Sequence, residues 1–217
     1  RMSGGLFRGP DELELTEGGI GWPLFFLSLP IVVTNLLQVA YNLADTFWLG
    51  QLSKEALAAI TFGFPMVFLL ISLGMGVSVA GSVLVAQYTG ANEPDRAAYA
   101  ASQTVTYAVL FSALLGGAGY FVVRDFIALI GATGTVLDQA TAYMEVIALG
   151  LPFMFGFFVF IALMRGSGDT ITPMLVMLGT VVLNVVLDPF LIFGWWIFPQ
   201  LGVQGAAIAT VFARGLA

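Results

Sequence analysis

The chain has 217 residues, 59% of them hydrophobic and 9% charged, with 7 basic against 13 acidic side chains and a net charge of −6. A mean hydropathy of +0.97 belongs to an integral membrane protein, and no basic patch is present to bind nucleic acid. Cysteine and histidine are absent, which removes disulfides, thiolate nucleophiles, imidazole bases and the commonest transition-metal ligands and leaves proton chemistry to Asp, Glu and Tyr.

Residues 1–19 read as a polar acidic N-terminal tail carrying Asp11, Glu12, Glu14 and Glu17. The first apolar run follows, Ile20 to Leu49. Thirty helical residues extend about 45 Å against a hydrocarbon core of about 30 Å, so Asp45 lies towards the far end of a membrane helix. Pro23 is tolerated in the opening turn, whereas Pro30 removes an interior hydrogen bond and is expected to bend the helix. At about 100° per residue, Thr34, Asn35, Gln38, Tyr41, Asn42 and Asp45 share an arc of roughly 120°, opposite a face of Leu, Val, Ala and Phe. Such a stripe is expected to line a polar cavity inside a bundle, and an intramembrane carboxylate is a functional candidate by default.

The second run, Ala56 to Tyr88, repeats small residues at spacing four in Ser72, Gly76, Ala80 and in Gly74, Ser78, Ser82, which predicts close helix packing. A turn-rich stretch from Thr89 to Asp95 makes Asp95 the expected N-cap of a third run, Ala97 to Val123, closed by Arg124 and Asp125. Phe126 to Asp138 reads as a connection. In the fourth run, Gln139 to Met164, Tyr143 and Glu145 fall near the start, Glu145 as an interfacial residue, and Pro152 and Gly156 loosen the middle. Arg165 to Thr172 is a loop leading to Pro173, suited to the first turn of a fifth run, Met174 to Phe193. There Asn184 and Asp188 lie four apart on one face, and Pro189 removes a donor so that the Val185 carbonyl can meet a cation or a water. A sixth helix from Gly202 reaches only about 24 Å by Ala217, short of a full span, and is expected to be truncated.

Six crossings place Arg1, Arg8, Arg96 and Arg165 on one side against Lys54 and Arg124 on the other. Positive charge then favours a cytoplasmic N-terminus in the cell membrane, with Trp195 and Trp196 at the outer interface. Helices one and five run the same way, so Asp45 and Asp188 fall at similar depth and can share a cavity. With the two amides, Asn42 and Asn184, and hydroxyls such as that of Thr210 they offer hard oxygen ligands suited to Na+. In its absence, two carboxylates out of water would take up H+ instead. Either ion could bias the bend at Pro30.

Four stretches together resemble the multidrug and toxic compound extrusion (MATE) transporters of the flippase-containing superfamily. They are Asn42 to Thr46, Arg165 to Thr170 with Pro173, Asn184 to Pro189 through Gly194, and Gly202 to Thr210. The likeness is greatest to the prokaryotic branch, archaeal members included. It implies an all-α integral membrane fold, a six-transmembrane-helix bundle that forms the first lobe of a twelve-helix transporter. It further implies cation-coupled antiport of organic, cationic drugs or toxins, with H+ or Na+ as coupling ion and no cofactor. By the same resemblance Asp45, Asn184 and Asp188 form the ion site with Thr210 beside them, Pro30 marks the bend, and Gln38, Asn42 and Tyr143 line the cavity. A lone lobe supplies one wall of such a cleft, so a C-terminal lobe or a second copy of the chain is the expected partner.

Two rivals remain in view. A lipid-linked precursor flippase would use Arg165 and Arg214, the basic residues near the apolar segments, to hold pyrophosphate. A non-transporting membrane scaffold needs no ion site. Hydrolase and ATP-driven readings lack their parts, with no Gly-x-Ser-x-Gly and no Gly-x-x-x-x-Gly-Lys, so the chain is not read as an enzyme.

Overall fold

In a computed structural model of the chain, residues 21–217 are described. The acidic tail expected over residues 1–19 lies outside them. Seven helices follow one another: α1 (Gly21–Leu52), α2 (Lys54–Gly90), α3 (Pro94–Leu129), α4 (Gly134–Leu149), α5 (Leu151–Gly166), α6 (Ile171–Phe193) and α7 (Val203–Leu216). No strand occurs among the described residues. Helices α1, α2, α3 and α6 are each long and apolar enough to cross a bilayer, and α4 and α5 taken together also have the length and composition of a span, with a bend of 57° between them. The chain is thus a multi-pass membrane protein, with α7 as a shorter apolar helix closing the series.

The break between α4 and α5 has a local cause. Pro152 cannot donate within the first turn of α5, and Gly150 lies directly under the Val211 side chain of α7, where a Cβ would overlap it. The fourth run is therefore two helices, broken two residues before the proline. Small residues on α2 divide in the same way between contact and exposure. Gly74 and Ser78 are buried, Gly74 against the Phe155 ring at 2.9 Å from an added Cβ, whereas Ser72, Gly76 and Ala80 are exposed. Only one of the two predicted packing faces is used within the bundle.

Several boundaries differ from expectation. Helix α3 continues through Arg124 and Asp125 to Leu129 because Val123 and Ile127 are fully buried in the core against α4. The connection shrinks to residues 130–133, and Arg124 pairs across it with Asp138 at 3.0 Å. Asp95 is not the N-cap of α3: Glu93 holds that position, Pro94 opens the helix and Asp95 falls in its first turn, where a carboxylate suits the helix dipole. Ser53 alone separates α1 from α2, and its hydroxyl accepts from the Ala56 N–H at 2.9 Å. Helix α1 runs unbroken through Pro30, whose carbonyl accepts the Thr34 hydroxyl at 2.7 Å.

Helix α1 packs along α6, and α7 packs on α4, α5 and α6. One core cluster gathers Met144, Ile147, Leu151 and Phe155 with α2 and α3, and a second gathers Tyr41, Phe157, Ile161, Met177 and Val181. The Asp169 carboxylate fixes the start of α6 by accepting the N–H groups of Ile171 and Thr172, each at 3.0 Å.

Candidate ion and substrate site

The polar stripe of α1 separates into two levels. Asn35, Gln38, Asn42 and Asp45 border a cavity of about 500 Å³ whose other wall includes Phe64, Phe68, Ile71 and Met75 of α2. Gln38 donates to the Asn42 side-chain oxygen at 3.3 Å, and Thr46 ties its hydroxyl to the Asn42 carbonyl at 2.8 Å, so the row is ordered along the helix. Tyr143 of α4 and Arg165 of α5 complete the polar part of the lining. Tyr41, expected to line the cavity, does not. It is 1% exposed, because it sits on the edge of the arc that α5 and α6 cover, packed with Phe157, Met177 and Val181 and capped by Arg214 of α7.

Behind Asp45 three helices meet. Thr210 of α7 lies 3.4 Å from Asp45 Oδ2 as donor. Asn184 and Asp188 of α6 are both 0% exposed, and the Asn184 amide donates to Asp188 Oδ1 at 3.2 Å. Both lie within side-chain reach of the Asp45 carboxylate. Residues distant in sequence are thus gathered as the parallel course of α1 and α6 predicts. One oxygen of each acceptor is left over: Asp45 Oδ1, Asn184 Oδ1 and Asp188 Oδ2 are buried without a hydrogen-bond partner, as is Tyr41 Oη. Buried acceptors without donors call for a proton, a water or a cation. The donor set is all oxygen, which fits a hard cation such as Na+. Among the described residues no three acidic, histidine or cysteine side chains come together.

Two arginines complete the electrostatics. Arg165, in the last turn of α5, borders the cavity and has a buried Nε without a partner. Arg214, near the end of α7, is 5% exposed and stacks over the Tyr41 ring at 5.0 Å. The sequence pointed to Arg214 only as a holder of an anionic headgroup, and to Arg165 also as a loop charge on the N-terminal side and part of a family stretch. An arginine inside an otherwise apolar terminal helix was the available signal that Arg214 lies in the interior.

A family model described as MatE matches residues 30–190. Over 203 residues the chain is 34% identical to a FAD transporter of Shewanella oneidensis, covering 94% of this chain and 45% of that protein. It is 33% identical over 186 residues to "Probable multidrug resistance protein YoeA" of Bacillus subtilis, covering 85% of this chain and 40% of that one. Among solved structures, the outward-facing conformation of a multidrug resistance MATE family transporter of the MOP superfamily matches with a TM-score of 0.81 at 29% identity, over 88% of this chain and 41% of that chain. A MATE crystal structure in the straight conformation matches with a TM-score of 0.82 at 28% identity, over 89% and 42%. The chain spans less than half the length of these relatives, as one lobe of a two-lobed transporter would. The MatE match runs from Pro30 to Phe190 and takes in Asp45, Asn184 and Asp188, and over that extent the chain belongs to the MatE family, whose members are transporters and not enzymes.

Proposed function

We propose that this chain is the N-terminal lobe of a secondary antiporter in which H+ or Na+ drives export of organic, cationic drugs or toxins. The observation that carries this reading is the meeting of Asp45, Asn184, Asp188 and Thr210 behind the cavity, with three side-chain oxygens of that group unpaired. An ion bound there neutralises the carboxylate at the end of the polar stripe, so cargo and coupling ion contend for the same negative charge. Neutralising Asp45 also alters what α1 must present to the cavity, which is how ion binding would act on a bend at Pro30. Gln38, Asn42 and Tyr143 supply hydrogen bonds to cargo, and the α2 aromatics supply an apolar face. A C-terminal lobe or a second copy of this chain forms the opposite wall, since rocking of two halves needs both. In this reading the protein lies in the cell membrane with its N-terminus in the cytoplasm.

The test is efflux of a fluorescent organic cation from proteoliposomes holding the complete transporter, under an imposed Na+ or pH gradient. Asp45→Asn and Asp188→Asn are expected to abolish gradient-driven efflux. Unchanged efflux in both variants refutes the coupling site.

Arg165 favours a second reading of the cargo alone. Its position in the lining, with a relative that is a FAD transporter, suits a molecule that carries a phosphate or carboxylate beside its organic body. In the same liposomes, inhibition of dye efflux by FAD would select it, and FAD without effect would leave the cationic cargo.

A further inference from the structure

Arg214 makes no contact with the oxygens of the ion site, yet it lies one helical turn from it on two helices at once. On α7 it is four residues beyond Thr210, and on α1 the Tyr41 ring beneath it is four residues before Asp45. The Thr210–Asp45 contact and the Arg214–Tyr41 contact are therefore consecutive rungs between the same two helices, about 6 Å apart along each axis. The guanidinium also faces Phe158 at 5.2 Å and Phe157 at 6.0 Å. Its Nε and Nη1 are buried with no hydrogen-bond partner, and the ion pairs found among the described residues, Arg96–Glu93 and Arg124–Asp138, do not include it.

A guanidinium keeps its proton in a protein interior. Burying it without a carboxylate in contact is costly, and three aromatic faces offset only part of that cost. The compensating negative charge is that of Asp45, which is paired in turn with Asp188. Arg214 acts electrostatically on Tyr41, Asp45 and Tyr143, and Asp188 is joined to it through Asp45. With both carboxylates ionised, the pair and the guanidinium sum to one negative charge, which a single proton or a single Na+ discharges.

We propose that Arg214 is a tethered cation that holds the Asp45–Asp188 site at a net charge of minus one, so that the site takes one monovalent cation and turns away divalent ones. This rests on the coupling-site reading given above. Donor type alone would not discriminate, because two carboxylates, an amide oxygen and a hydroxyl are acceptable ligands for Ca2+ as well as Na+. Net charge does: with Arg214 neutralised, the pair presents two uncompensated charges and matches a divalent ion.

The experiment measures retention of radioactive Ca2+ by the purified complete transporter, alongside the efflux assay. Wild type is expected to retain no more Ca2+ than Asp45→Asn. Arg214→Gln is expected to retain Ca2+ at least about tenfold more tightly than wild type, and to lose it again when combined with Asp45→Asn. Arg214→Lys, which keeps the charge, is expected to behave as wild type. Calcium bound by wild type and lost in Asp45→Asn overturns the proposal, and that arm needs no Arg214 variant to fold. Monodisperse Arg214→Gln without added Ca2+ binding overturns it, as does Arg214→Lys binding Ca2+ like Arg214→Gln. Failure of the coupling site itself looks different: Asp45→Asn and Asp188→Asn would then leave gradient-driven efflux intact.

Discussion

Thr210 places its hydroxyl 3.4 Å from Asp45 Oδ2, joining helices whose residues lie 165 positions apart in sequence. That contact ties the last helix of the chain to the far end of the first. It also sets one ligand of the proposed ion site on an element that carries no other polar group there except Gln204 and Arg214.

Replacing Thr210 by Val keeps shape and removes the hydroxyl. The expected result is a several-fold rise in the ion concentration needed for half-maximal efflux, in line with about 1 kcal/mol for one hydrogen bond. Thr210→Ser is expected to stay near wild type. Efflux titrated against Na+ or pH distinguishes the two.

Asn184→Ala leaves Asp188 Oδ1 without its donor in a fully buried setting. The cost is expected at about 1–3 kcal/mol, read as a lower thermal midpoint of the purified protein. Added coupling ion should recover part of that loss by mass action. The same ion added to Asp188→Asn should recover none.

At Gly150 a Cβ meets the Val211 side chain, with three of its carbons inside contact distance. Gly150→Ala is expected to destabilise the bundle by about 1–3 kcal/mol through overpacking. The double variant Gly150→Ala with Val211→Ala should return most of that, since the clash is between these two side chains. Thermal unfolding of the single and double variants in detergent measures the recovery.

Asp169→Ala removes the acceptor for two N–H groups at the start of α6, the helix that carries Asn184 and Asp188. A loss of about 0.5–2 kcal/mol in stability is expected. Arg124→Ala, by contrast, breaks an exposed pair with Asp138 and is expected to change stability by less than about 1 kcal/mol. Both are read from thermal midpoints under one set of conditions.

Much of this arrangement was legible in the sequence. Hydropathy located the spans, helical periodicity placed Asn35, Gln38, Asn42 and Asp45 on one face, and the shared direction of α1 and α6 put Asp45 and Asp188 at one depth. What was misread depended on neighbours that a single helix does not disclose. Tyr41 lies in the polar arc yet is covered, because its side of that arc meets α5 and α6, with Arg214 of α7 stacked on its ring. Residues 126–129 have the composition of a connection with an apolar start, but burial of Ile127 holds them helical. The break at Gly150 precedes the proline that announced it, since the crossing of α7 over that glycine is a tertiary event. Arg214 was visible as a charge, and only its stacking on Tyr41 set it beside the acidic pair.

The one-residue joint at Ser53 has a mechanical consequence. With Leu49 fully buried and α2 beginning at Lys54, the Asp45 end of α1 is clamped to its neighbour as a beam is built into a wall. Flexure at Pro30 would therefore swing the segment from Gly21 to Leu29, an arm of about 13 Å, while the acidic end keeps its station. A 30° deflection would carry the tip of that arm through about 7 Å. Such a protein would sense its ion at the fixed end of a lever and deliver the displacement at the free one.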